Sequence, residues 1–91
     1  MRYPLRGEVW LVDLGMTAKI RPCLVLSAPI GDSDRALITL VPHTTSTRGT
    51  HFEAAVQAPF LRAGAFDAQG LITVPVKFAI RQLGALNESQ L

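Results

Sequence analysis

The side chains best suited to chemistry are Arg21 and the hydroxyl pair Thr44 and Thr45, with Lys19 and Thr17 a few positions before Arg21. A guanidinium offers five N–H donors in a planar fork that grips a phosphate bidentately, and threonine hydroxyls add short-range donors. Together they suit a cradle for a phosphate. Each residue also has a plain structural reading. An arginine at a strand mouth is usually a solvated cation, and threonines after a proline usually bond their own backbone in a turn. His43, beside Thr44, reads equally well as a strand histidine satisfied locally. The functional reading therefore depends on whether the fold brings Arg21 and Thr44 to one place.

Two segments decide that. Residues 20–27, Ile-Arg-Pro-Cys-Leu-Val-Leu-Ser, and 37–44, Leu-Ile-Thr-Leu-Val-Pro-His-Thr, are apolar, β-branched runs bounded by turn residues. Such runs read as strands. The polar stretch 28–34, with Pro29 and Gly31, is short enough for a hairpin, so the strands run antiparallel. If Ser27 faces Arg35, Arg21 falls opposite Val41 or Pro42, with Thr44 about two residues further out. Pro22 holds Arg21 extended at the mouth of its strand, and Pro42 punctuates the other strand at the matching end. Residues 43–50 then form a hydroxyl-rich loop that carries one further cation, Arg48.

The remaining chain reads as more short strands. Pro4 interrupts a leading arm over residues 1–6. In residues 8–14, Trp10, Val12 and Leu14 share one face, and Val9, Leu11 and Asp13 the other. Both faces are mostly apolar, so this strand belongs in a closed or strongly curled sheet, with Trp10 as core and not as a base-stacking platform. Residues 15–19 make a short connection that borders Arg21. Residues 51–56 read as a fourth strand, and 65–69 with 71–74 as one strand bent at Gly70. The spacing of Val76, Phe78, Ala79, Ile80 and Leu83 predicts a short helix over residues 75–83, with Pro75 at its start and Gly84 beyond its end. Asn87 and Gln90 suit an N-cap and third helical position, but the closing helix is cut short at Leu91. The expectation is a mainly β fold: one domain over residues 1–91, a small, strongly bent barrel of five to seven strands with one or two short helices.

Composition narrows the function. The chain has 91 residues, 48% of them hydrophobic, and no apolar run near the length of a membrane span. No secretory signal is evident, and one cysteine, Cys23, supports neither a disulfide framework nor a thiolate metal site. A cytoplasmic setting is the expectation. His51-Phe52-Glu53 imitates the His-x-Glu of zinc deaminases, but the Pro-Cys-x-x-Cys that must follow is absent, so no metal or other cofactor is expected. Glycine-rich phosphate loops, nucleophile elbows and kinase signatures are also missing. The net charge of +2 lies within residues 1–50, which favours an anionic partner for that half.

Three stretches in order resemble a known family. Arg6-Gly7-Glu8-Val9-Trp10-Leu11-Val12-Asp13-Leu14, then residues 20–27, then Val41-Pro42-His43-Thr44-Thr45 are similar to the successive signature strands of the MazF/PemK toxins of bacterial toxin-antitoxin systems. Gln69, Thr73 and the tail from Arg81 onward resemble that family too. The resemblance implies an SH3-like barrel, a homodimer, and a metal-independent endoribonuclease cutting single-stranded RNA at short sequences. It implies an antitoxin partner that covers the RNA groove with a flexible, often acidic segment. The family's catalytic arginine falls on Arg21 and its catalytic threonine on Thr44.

The expected chemistry is attack of a 2′-hydroxyl on the adjacent phosphate, leaving a 2′,3′-cyclic phosphate and a 5′-hydroxyl. Arg21 would stabilise charge on the phosphoryl oxygens and Thr44 would donate a hydrogen bond to the same group. His43 is the candidate proton carrier by its ordinary pKa, although strand alternation points its side chain away from Thr44's. Thr17, Lys19, Thr45 and Gln69 are the expected RNA contacts. Three departures from the family stand out: a short loop over residues 15–19, Ala68 where an aspartate commonly precedes the glutamine, and the curtailed closing helix. A competing reading keeps the barrel but not the nuclease, as a gyrase poison of the CcdB kind or a module that only binds RNA or antitoxin.

Overall fold

The β-branched runs are strands, and they build a single antiparallel system. The computed structural model describes residues 3–15, 19–28, 31, 34–87 and 90. Its strands are β1 Glu8–Asp13, β2 Ile20–Val25, β3 Leu37–Thr44, β4 Glu53–Ala54, β5 Ala65–Asp67, β6 Ile72–Pro75 and β7 Ala79–Ala85. The sheet order is β4-β5-β3-β2-β1-β7, and β6 also pairs with β3. Trp10, Val12, Cys23, Val25, Ile38, Leu40, Val74, Val76 and Ala79 form one buried cluster. Because β6 and the start of β7, from opposite margins of the sheet, both contribute, the sheet must curl round that cluster into a small barrel. Among the described residues no helix is long and apolar enough to cross a membrane.

The outer face is covered as well. Val9, Leu24, Val41, Phe66 and Leu86 form a second buried cluster, packed by Val56, Phe60 and Leu61 of the segment after β4. This explains the two apolar faces of β1, in which Val9 and Val12 are both fully buried. Its leading end is tied down by the buried Glu8, whose Oε1 accepts from Leu5 N (2.8 Å) and Trp10 Nε1 (3.0 Å). Gly7, at φ 91°, donates to Val25 O and accepts from Leu86 N, bridging the ends of two strands.

Three local expectations need correcting. The helix over residues 75–83 is a 3₁₀ turn, Val76–Phe78, followed by β7. Val76 and Ala79 do share a face as the i, i+3 spacing suggested, but only for that turn. After it, pairing with the free edge of β1 (Leu11 with Arg81, Trp10 with Gln82) satisfies the backbone, and a helix would leave that edge open. The strand bent at Gly70 is two strands joined by a 3₁₀ turn, Ala68–Gly70, and both pair with β3. The fourth strand shrinks to two residues, and His51 lies in a turn against Phe52.

The hairpin register also differs. Cys23 pairs with Pro42, Leu24 with Val41 and Val25 with Leu40, while Leu26 N donates to Thr39 O (2.9 Å). The loop is therefore longer than a Ser27–Arg35 pairing allows. Continuing this register sets Pro22 opposite His43 and Arg21 opposite Thr44. Pro42 occupies a particular place in β3. The strand pairs with β6 through Leu40 and with β5 from His43 onward, so the missing donor of Pro42 falls where one partner hands over to the other.

Candidate functional site

Alternation along the strands sorts the candidate residues onto two faces. Val12 pairs with Arg21 and Trp10 with Cys23, so Arg21 stands on the barrel-inner face, one step beyond the buried core. Thr44 shares that face, by alternation from the buried Ile38 and Leu40 of β3. His43 and Pro22 share the other.

A cleft of about 540 Å³ opens at the rim, lined among others by Arg21, Thr44, Arg48, Glu53, Asp67 and Gln69. The Thr44 hydroxyl oxygen accepts from Ser46 N at 3.0 Å. That bond is the local turn role expected of a threonine, and it leaves the hydroxyl's own proton to donate elsewhere. The turn role and the chemical role are thus compatible. Arg48 reaches this cleft from a loop fixed by Glu53, whose carboxylate accepts from Arg48 N (3.0 Å) and Gly49 N (2.8 Å). Gly49 sits at φ 69°, a left-handed conformation that favours glycine. Gln69 is presented by the 3₁₀ turn, which Asp67 caps by accepting from Gln69 N at 3.0 Å. The acid that orders the glutamine is thus Asp67, one residue earlier than the departure at Ala68 suggested. Gly70 lies against Pro42, so the turn packs onto the partner handover in β3.

Lys19 and Thr45 line a neighbouring cleft that shares Arg21 and His43 with the first. Thr17 lies outside the described residues. His43 is only 3% exposed and meets Phe66 edge-on, with ring centroids 5.1 Å apart. Its Nε2 has no hydrogen-bond partner, and burial pushes its pKa below the ordinary histidine value. A neutral, enclosed imidazole on the far face supports the end of β3 from behind. Cys23, directly inside Arg21 on the same face, is fully buried. Desolvation pushes its thiol up to about 12, with the Arg21 charge pulling the other way.

In the sequence Arg48 is a loop cation with no assigned role, Glu53 stands only in the rejected His-x-Glu pattern, and Asp67 carries no mark of function. Their roles depend on hydrogen bonds to backbone amides two to five residues away, and a carboxylate a few positions from a glycine-containing turn is the signal that could have marked them.

Comparison with solved structures gives extensive matches. The chain is 29% identical to the Mycobacterium tuberculosis toxin MazF-mt6, over 91% of this chain and 83% of that one, with a TM-score of 0.76. It superposes on MazF from Deinococcus radiodurans with a TM-score of 0.82 at 20% identity, covering 99% and 87% of the two chains. An endoribonuclease from a Mycobacterial species, solved in complex with its cognate antitoxin, gives 0.76 at 24% identity, covering 99% and 83%. Curated proteins give no match. Residues 5–91 match the PemK-like, MazF-like toxins of type II toxin-antitoxin systems, and the chain belongs to that family.

Proposed function

We propose that this toxin is a metal-independent endoribonuclease that cuts single-stranded RNA at short sequences, leaving a 2′,3′-cyclic phosphate and a 5′-hydroxyl. The observation that carries the proposal is the shared cleft: Arg21 of β2 and Thr44 at the end of β3 both line it. In this reaction the 2′-oxygen forms a bond to phosphorus as the bond to the 5′-oxygen breaks. The 2′-hydroxyl gives up a proton and the leaving oxygen gains one. Negative charge accumulates on the non-bridging oxygens between those events, and fixed donors aimed there lower the barrier. Arg21 supplies the fork, always charged and too weak an acid to move the proton itself. Thr44 supplies the hydroxyl proton, oriented by its bond from Ser46 N.

Gln69 and Arg48 contact the RNA beside the scissile phosphate, and Lys19 and Thr45 contact it on the other side of Arg21. Thr17 is proposed as a further contact from its position in the chain beside Lys19. His43, the candidate proton carrier, is better suited to holding Thr44 in place: its ring is desolvated and packs edge-on against Phe66, and strand alternation sets it on the face opposite Thr44's. The proposal includes a homodimer acting in the cytoplasm and a cognate antitoxin that inhibits by covering the cleft. The similar Mycobacterial endoribonuclease is solved in complex with its cognate antitoxin.

The test uses end-labelled single-stranded RNA in EDTA. Cutting should persist, and the products should carry cyclic phosphates. Arg21→Ala and Thr44→Ala should each slow cutting by about 10²-fold or more. Loss of cutting in EDTA overturns the metal-free reading, and wild-type rates in both variants remove the site assignment.

A further inference from the structure

We propose that the neighbouring cleft is a second anion site, built by Arg62 and Arg81, that binds the phosphates of single-stranded RNA flanking the one held at Arg21 and Thr44. It deepens the nuclease reading and rests on it for the direction of the strand. The cleft measures about 580 Å³, and among the described residues its lining holds four cations, Lys19, Arg21, Arg62 and Arg81, and no carboxylate. The whole chain has nine lysines and arginines, so nearly half converge here from three separate segments. Like charges gathered in one cleft repel one another, and a site of this kind becomes favourable when a polyanion fills it.

The cleft is held in shape beforehand. Arg81 pairs with Leu11 and Leu11 with Pro22, so a row crosses β7, β1 and β2 on the outer face and gives the cleft an apolar floor. Phe60 packs directly on Gly84, where any Cβ would run into its ring. That contact holds the segment before Arg62 against β7, which carries Arg81, and both arginines line the cleft. Lys19 has φ 57°, a left-handed backbone unusual for lysine, fixed by Lys19 N to Gly15 O (2.9 Å) and Leu14 N to Lys19 O (2.8 Å). Strain of this sort persists where the side chain is needed in one direction. Arg21 and His43 line both clefts. A nucleic-acid strand gripped at Thr44 therefore passes over the rim at Arg21 directly onto Arg62 and Arg81, a continuity that favours RNA over a separately docked acidic peptide.

The probe is a fluorescent single-stranded RNA with 2′-O-methyl riboses, which binds without being cut, titrated against the full chain at several salt concentrations. On single strands each phosphate contact contributes about 0.7 to the slope of log K against log salt. Arg62→Gln with Arg81→Gln should therefore lower the slope by about 1.4 while thermal unfolding is unchanged, since both side chains are exposed. The double lysine variant should keep the wild-type slope, as should Arg35→Gln, which removes a cation outside both clefts. An unchanged slope in the double glutamine variant overturns the proposal. So does the pattern in which that variant keeps its RNA affinity but loses binding to poly-glutamate, which would assign the cleft to an acidic protein segment. A wild-type protein that shows the Arg62- and Arg81-dependent slope yet never cuts unmodified RNA supports the anion site and removes the nuclease reading instead.

Discussion

Gly64 offers the sharpest test of how the fold positions Thr44. A Cβ built on it would lie 2.2 Å from the Thr44 carbonyl oxygen, 3.0 Å from the Thr44 carbonyl carbon and 2.8 Å from Cε1 of His43. Ordinary contact begins near 3.4 Å, so in Gly64→Ala the two backbones must part by roughly 1 Å, the displacement at which catalytic alignment typically costs about 10²-fold in rate. His43 cannot absorb the shift, because its ring is already enclosed against Phe66. Overpacking costs about 1–3 kcal/mol, and replacing glycine returns about 0.4–1 kcal/mol through the unfolded chain. A net loss of about 1–2 kcal/mol leaves a domain of ordinary stability folded. The rate should thus fall far more than the folded fraction. Single-turnover cutting at saturating enzyme, with urea denaturation in parallel, separates the two. A variant that cuts within about threefold of wild type, with an unmoved denaturation midpoint, would refute the claim that this close approach sets the Thr44 geometry.

Other predictions probe the surroundings. Glu53→Gln removes a negative charge from the cleft, so simple electrostatics expects tighter RNA binding. The bonds from Arg48 N and Gly49 N imply the opposite, weaker binding with a stability loss of about 1 kcal/mol, and tighter binding would contradict the loop-ordering role. His43 has a lowered folded pKa, so below about pH 6.5 the unfolded chain takes up a proton that the folded chain refuses. Stability from this residue is complete above that value and declines as pH falls towards the folded pKa. Melting curves between about pH 7.5 and 5 should be steeper in pH for wild type than for His43→Leu, and parallel curves would rule the effect out. Cys23, with its thiol pushed up to about 12, should resist iodoacetamide at about pH 8 until the chain unfolds, and labelling of the native protein would show the strand to be more open than described.

The sequence was most legible where the physics is local. The β-branched runs of β1, β2 and β3 announced strands, and the two apolar faces of β1 announced a sheet covered on both sides. Prolines 22 and 42 marked the ends at which Arg21 and Thr44 meet. Even the reciprocal pair at the tail was readable: Asn87 N donates to Gln90 Oε1 and Gln90 N to Asn87 Oδ1. What escaped was set by distant partners. Residues 75–83 carry spacing suited to a helix, and only the vacant edge of β1 makes a strand of 79–85. The exact rung of the hairpin depended on how many residues the loop consumed, which the turn composition left open. Arg48, Arg62 and Arg81 look like ordinary surface cations in the sequence, and only the closed sheet gathers them around Arg21.

The pairing of β1 with β7 joins the first described strand to the last. During translation the ribosome delivers β1, β2 and β3 early, but β1 keeps a bare edge, and the core lacks Val74, Val76 and Ala79, until the far end emerges. Contacts this distant along the chain form late and slowly. The hairpin that carries Arg21 and Thr44 is therefore synthesised well before the barrel that supports it can close.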